Sequence, residues 1–207
     1  VAKTLSNAIL VLSLHPAWAG VLAYDALKNV VVMLKKPPSH GDRPEPRGGY
    51  PAHWTDVDNN LAAAWIQHGV GGGPNCWGVL VSSDVVGRAI ITVASRNSFN
   101  RLQDYLNGLA WDGVQRVDNW LSRYFGAAST TYIQAVGRRW LISAVARALN
   151  PGCQVDTMLI LEGEQGIKKS TALAALAGNP AWFVEGFSTI EGKDALLQLQ
   201  GKWVVEF

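Results

Sequence analysis

One stretch in the second half of the chain decides the fold: Leu161-Glu162-Gly163-Glu164-Gln165-Gly166-Ile167-Lys168-Lys169-Ser170-Thr171. It follows the phosphate-binding pattern G-x-x-x-x-G-K-[ST], with Gly163 as the first glycine, Lys169 as the lysine and Ser170 as the hydroxyl. In such a loop, backbone N–H groups and the next helix's N-terminus bind the phosphates, the lysine reaches the β- and γ-phosphates, and the hydroxyl binds Mg²⁺. We therefore predict nucleotide binding by all nine residues: Gly163, Glu164, Gln165, Gly166, Ile167, Lys168, Lys169, Ser170 and Thr171.

Lys168 departs from this pattern, because the second glycine is expected at its position. That glycine often has a backbone conformation that costs a residue with a Cβ roughly 1 kcal/mol or more. Gly166 can supply part of the missing freedom, and Lys168 adds a second cation near the phosphates. The alternative interpretation is an ordinary strand, turn and helix with exposed lysines.

The flanking segments predict an α/β core. Thr157–Leu161 is a short, uniformly apolar run, typical of a parallel strand covered on both faces. Helices are predicted at 169–177 and near 194–199, and a second strand at Trp203–Val205. This strand ends at Glu206, as a Walker B strand does when it presents an acid to Mg²⁺ and the attacking water. We therefore predict Lys169 and Glu206 as catalytic residues and Ser170 and Glu206 as metal ligands, although a strand-terminal glutamate taken alone is more often solvated.

The remainder of the chain predicts a largely helical organisation. A hairpin is expected at 21–34, a breaker-rich loop at 35–49, and helices around a turn that resembles a winged-helix module. We predict a mainly helical N-terminal region with a small hairpin at 1–111, a helical segment at 112–152 and a P-loop NTPase core at 153–207. Both ends are expected to be cut, so the core is expected to be truncated. The helices are predicted at 55–68, 82–96, 101–109, 117–124 and 131–149.

Composition excludes several classes of protein. The 207 residues are 48% hydrophobic and 16% charged with a net charge of +2, which excludes disorder and indicates no general polyanion-binding surface. Cys76 and Cys153 alone cannot form a disulfide framework or a cysteine zinc site, and they fit a reducing cytoplasm. The four histidines all precede residue 70 without ligand spacing. No apolar run is long enough for a transmembrane helix.

A second signature supports the loop. Trp111-Asp112-Gly113-Val114-Gln115-Arg116-Val117-Asp118-Asn119-Trp120-Leu121 resembles the W-D-G-x-x-R-[LV]-D-x-W-L motif of the virulence-associated protein E family. Segments at 97–106, 136–147 and 158–163 are similar to the same family. Residues 54–61 show a weaker similarity to its N-terminal region. Taken by themselves, Trp111, Asp112, Arg116, Asp118 and Trp120 favour a buried cluster between helices over a DNA or nucleotide contact. Arg138 and Arg139 favour solvated or bridging roles over DNA binding.

The resemblance implies a P-loop ATPase of phage, prophage or mobile-element replication proteins, similar to superfamily 3 and primase-linked helicases. It implies ATP and Mg²⁺ as ligands, with Lys169 and Ser170 binding phosphates and Mg²⁺ and Glu206 as the Walker B acid. Its partners would be DNA, mainly single-stranded and through the full-length protein, other replication proteins, and further copies in a homo-oligomer. It would act in the cytoplasm of a bacterial cell or phage-infected host, without contact to a membrane.

Besides the helicase, two other functions stay open: a catalytically degenerate module and a small-molecule kinase. The full-length protein is expected to be an ATPase and helicase, with this fragment alone weak or inactive, and weak, salt-sensitive DNA binding is expected of it. The alternative is a catalytically degenerate module that binds DNA or a replication partner. A small-molecule kinase ranks last, because the sequence indicates no substrate pocket.

Overall fold

The computed structural model describes residues 4–39, 45–68, 80–187 and 193–207. The chain divides into two compact units, Val1–Asn100 and Arg101–Phe207. His40, Cys76 and the glycine-rich segment 69–74 lie outside the described residues. None of the described helices has both the length and the apolar character that a membrane crossing requires.

The first unit combines helices with a four-stranded sheet in the order β3-β2-β1-β4. β1 pairs antiparallel with β2, as the predicted hairpin requires, and parallel with β4. Asp25 Oδ1 accepts hydrogen bonds from the backbone N–H groups of Leu27 and Lys28, which closes the hairpin turn. The elements are α1 (Leu5–Leu14), β1 (Leu22–Asp25), β2 (Val30–Met33), β3 (Ala52–His53), α2 (Asp56–His68), α3 (Ser83–Ser95) and β4 (Ser98–Phe99).

The predicted hairpin and the helices α2 and α3 are confirmed, and the sheet is wider than expected. β3 and β4 have only two residues each, too few for periodicity to reveal them. The Ser82 hydroxyl accepts a hydrogen bond from the Val85 N–H and so caps α3. The core of this unit contains the indoles of Trp18, Trp54 and Trp65.

The second unit is mainly helical with a two-stranded parallel sheet. Phe183 lies opposite Val204, and Val184 lies opposite Val205. The helices predicted for this unit are present. Because both units combine helices with a sheet, the chain is mixed α/β. The elements are α4 (Arg101–Gly108), α5 (Trp120–Phe125), α6 (Thr131–Leu149), α7 (Lys169–Leu176), β5 (Phe183–Val184), α8 (Lys193–Leu199) and β6 (Val204–Val205).

The predicted strand at Thr157–Leu161 is wrong. These residues form no strand, and the side chains of Met158 and Ile160 are 68% and 70% exposed. A strand requires a hydrogen-bonded neighbour, and the described ladder of this unit joins only β5 and β6. The apolar run indicated burial on both faces, but in the described residues neither Met158 nor Ile160 is covered.

The core of the second unit holds α6 against its neighbours. Trp120 of α5 stacks on Trp140 of α6, with ring centroids 5.6 Å apart. Gly137 permits this approach, because a Cβ at that position would lie 2.6 Å from Trp120 Nε1. Trp203 Nε1 donates a hydrogen bond to the Ala144 carbonyl at 2.9 Å, which attaches the start of β6 to α6.

Candidate phosphate and metal site

The loop before α7 turns into the helix through a left-handed residue. Lys168 has φ of 66° and ψ of 32°, and it is the N-cap of α7. The expected conformational cost at this position is therefore present, since L-residues with a Cβ are disfavoured in this region. A lysine side chain cannot accept a hydrogen bond, so the N-cap leaves the first N–H groups of α7 without the usual side-chain acceptor.

Lys169, the first residue of α7, points back into the loop. Its Nζ donates hydrogen bonds to the carbonyl oxygens of Gly163, at 2.9 Å, and Glu164, at 3.0 Å. A Cβ on Gly163 would lie 2.8 Å from Cδ1 of Ile167 and 4.0 Å from this ammonium group. The loop thus curls around one cation, with the glycine at the point of closest approach.

Glu206 lies beside the start of α7, and the sheet fixes its backbone there. Its N–H donates to the Val184 carbonyl at 2.9 Å, and its own carbonyl accepts from the Phe187 N–H at 3.0 Å. The Ser170 hydroxyl donates a hydrogen bond of 2.8 Å to Glu206 Oε1. The two residues predicted as metal ligands, far apart in sequence, are therefore in direct contact.

The second carboxylate oxygen of Glu206 is an orphan. Oε2 is buried and has no hydrogen-bond partner in the described part of the protein. A buried carboxylate oxygen without a partner is costly, and a cation is one way to satisfy it. The hydroxyl and carboxylate of Ser170 and Glu206 are the hard oxygen ligands that Mg²⁺ prefers, usually completed by water and phosphate oxygens. These residues fit Mg²⁺, although the described residues contain no cluster of three or more His, Cys, Asp or Glu side chains.

The other predicted loop residues are at the surface. Gly163, Glu164, Gln165, Gly166, Ile167, Lys168 and Thr171 are exposed, whereas Lys169 and Ser170 are partly buried. The structure therefore brings Lys169, Ser170 and Glu206 to one end of α7. A contact of the exposed residues with a nucleotide stays a prediction.

A cavity of about 560 Å³ opens next to the loop. Lys168, Lys169, Tyr124 and Tyr132 are among the residues that line it. Neither tyrosine is predicted as a site residue from the sequence. The only signal in the sequence was their position on either side of the turn between α5 and α6.

The signature around Trp111 is only partly buried, contrary to the prediction. Trp120 is buried, but Trp111 is 76% exposed, because its loop folds on itself instead of entering a core. Arg116 donates two hydrogen bonds, of 2.8 and 2.7 Å, to the two carboxylate oxygens of Asp112. The Arg116 guanidinium, together with the Val114 N–H, holds the pKa of Asp112 well below its usual range.

Arg138 forms an ion pair within the second unit, and whether Arg138 and Arg139 contact DNA stays untested. The Nε of Arg138 donates a hydrogen bond of 2.6 Å to Asp118 Oδ1, so α6 is joined to the residues just before α5. The hydrogen bond and the charge of Asp118 raise the pKa of the Arg138 guanidinium.

Comparison with known proteins finds one family match, which lies in the second half of the chain. Residues 106–207 match the family model of the virulence-associated protein E-like domain. The resemblance predicted from the sequence is confirmed for this range, which starts in α4 and reaches the last residue. The similarity suggested upstream, at 54–61 and 97–105, lies outside the match. No curated protein matches the chain.

Proposed function

We propose that residues 106–207, which match the virulence-associated protein E-like domain, bind and hydrolyse ATP with Mg²⁺ in a phage- or mobile-element-type replication helicase or primase-helicase. The domain is consistent with a phage-type replication module. One observation carries the proposal: the Ser170 hydroxyl contacts the Glu206 carboxylate at 2.8 Å, beside the lysine of a phosphate-binding sequence pattern.

Each residue has a role that its present contacts support. Lys169 exchanges the carbonyl oxygens of Gly163 and Glu164 for phosphate oxygens, and the first N–H groups of α7 donate to the same phosphates. Ser170 and Glu206 would hold Mg²⁺, which when bound neutralises charge on the phosphates. Glu206 Oε2 is the free acceptor of this site and would orient the attacking water.

The test compares Mg²⁺-ATP binding and turnover by the wild-type protein and Lys169→Ala, using the longest form of the protein that folds. We expect Lys169→Ala to abolish detectable binding. Lys28→Ala removes an exposed lysine of the first unit, and it should leave ATP affinity unchanged. Equal ATP affinity of the wild-type protein and Lys169→Ala would contradict the proposed nucleotide site.

Glu206→Gln separates binding from hydrolysis. The amide preserves the size of the side chain and an oxygen that can accept from Ser170, but it lacks the negative charge. We expect ATP to bind with little change in affinity, while turnover falls by about 100-fold or more, within the range for losing a positioned acid or base. Turnover within a few-fold of wild type would show that Glu206 is not the acid of this site.

A degenerate loop is the second candidate function. The left-handed backbone at Lys168 favours it, because a strained loop is less well preorganised for phosphate. The module would then bind DNA or a replication partner without turnover. Lys168→Gly discriminates between the two: a large gain in turnover indicates an impaired loop, and little change indicates that the lysine is accommodated.

The DNA partner also belongs to the proposal. The net charge of +2 favours weak, salt-sensitive binding of single strands by these 207 residues. Titration of a labelled single strand at two salt concentrations tests this. Tight binding that hardly changes with salt would contradict it.

A further inference from the structure

The cavity beside the phosphate loop has the composition of a nucleobase site. Its volume of about 560 Å³ is within the range of small-molecule pockets. Its lining includes Lys168 and Lys169, the cations of the loop, together with Tyr124 and Tyr132. A lining that contains both cations and aromatic residues offers groups for the phosphates and for the base of a nucleotide.

The two tyrosines are available for stacking. Tyr124 is in α5 and is 56% exposed, and Tyr132 is in the first turn of α6 and is 74% exposed. Their backbones belong to packed helices, so the rings are presented from a stable scaffold. The guanidinium of Arg123 lies 5.7 Å from the centre of the Tyr124 ring, which adds positive charge next to this surface.

From these observations we propose that the base of the nucleotide binds in this cavity against Tyr124 and Tyr132, while its phosphates lie at the loop. The inference rests on the proposed function and deepens it. Stacking on a ring face does not read the hydrogen-bonding edge of a base. The site therefore takes nucleoside triphosphates as a class and discriminates weakly between ATP and GTP.

The experiment measures the affinity of the whole chain for two ligands in Mg²⁺ by calorimetry: ATP and inorganic tripolyphosphate, which has no base. We expect the double substitution Tyr124→Ala and Tyr132→Ala to weaken ATP binding about tenfold or more, as removal of a stacking partner does. Tripolyphosphate affinity should be unchanged. The pair Tyr124→Phe and Tyr132→Phe keeps both ring faces and should bind ATP like the wild type.

Trp111→Ala is the matched control, because it removes an exposed aromatic residue of the same unit that does not line the cavity. It should leave both affinities unchanged. Unchanged ATP affinity in the double alanine variant would overturn the base site and leave the phosphate site standing. Equal losses for both ligands would also overturn it, because the tyrosines would then act through the loop. A wild-type protein that binds neither ligand would overturn the proposed function as well.

Discussion

Replacing Lys168 by glycine tests whether this loop is strained. The residue has φ of 66° and ψ of 32°, and its side chain is exposed, so the substitution removes a Cβ from a disfavoured conformation without losing packing. An L-residue in this region costs roughly 1–2 kcal/mol relative to its normal conformations. Glycine pays no such cost but loses about 0.4–1 kcal/mol through the greater freedom of the unfolded chain. The expected net gain in the free energy of unfolding therefore lies between about 0 and 1.6 kcal/mol, centred on about 0.5–1 kcal/mol.

Lys168→Ala is the matched control, since alanine keeps the Cβ and the strain but removes the charge. It should have nearly the wild-type stability. A difference in the free energy of unfolding between Lys168→Gly and Lys168→Ala therefore reports the effect of the backbone conformation and not that of the charge. The assay is urea unfolding without nucleotide, followed by hydrogen exchange of peptides from α6 and α7. These peptides report on the second unit and exclude the transition of the first.

A gain of about 0.5–1 kcal/mol corresponds to about 2–8 °C in the unfolding temperature of a unit of roughly 100 residues. If Lys168→Gly is no more stable than Lys168→Ala, the strain at this position is no larger than the entropic loss of about 0.4–1 kcal/mol that glycine brings. The argument for a degenerate loop would then be weakened. If stability rises but turnover does not, the strain is real and the nucleotide-bound loop tolerates it.

Two further substitutions test the packing and charge of the second unit. Gly137→Ala adds a Cβ 2.6 Å from Trp120 Nε1, and we expect it to lower the free energy of unfolding by about 1–3 kcal/mol. Gly108→Ala is the control, because a Cβ there has nothing within 4 Å, and it should leave the free energy of unfolding unchanged. Asp112→Asn removes the carboxylate that Arg116 binds. Because the folded pKa of Asp112 is lowered, the pair stabilises fully above about pH 4 and progressively less as the pH falls. We therefore expect a small loss of urea resistance at pH 7 and a smaller loss at pH 3, and equal losses at both would contradict this assignment.

Most of the helices could be predicted from the sequence, because their signals are local. α6 has a threonine cap at Thr130 and an Asn-Pro-Gly stop after Leu149, and its bounds were predicted correctly. The turn between β1 and β2 is likewise local, because the Asp25 carboxylate accepts hydrogen bonds from the N–H groups of the residues that follow it. Such features need no knowledge of distant parts of the chain.

The errors arose where the outcome depends on distant residues. Thr157–Leu161 has the composition of a buried strand, but strand formation depends on which backbone is available for pairing, and apolar content does not encode that. Trp111 and Trp120 lie in one signature and have opposite burial, because only Trp120 meets the face of α6 at Gly137. The contact of Ser170 with Glu206 was implied only by the roles assigned to both residues.

The position of Glu206 links the candidate site to the stability of the unit. Two backbone hydrogen bonds, to Val184 and from Phe187, hold the carboxylate against Ser170, so the site exists only while the short β5–β6 ladder is formed. A ligand that binds this arrangement and not the unfolded chain stabilises it by about 2.7 kcal/mol at a concentration of 100 times its Kd. That exceeds the strain assigned to Lys168. Bound nucleotide would therefore compensate for the left-handed residue, and a lysine at this position is compatible with a working loop even if it weakens the empty one.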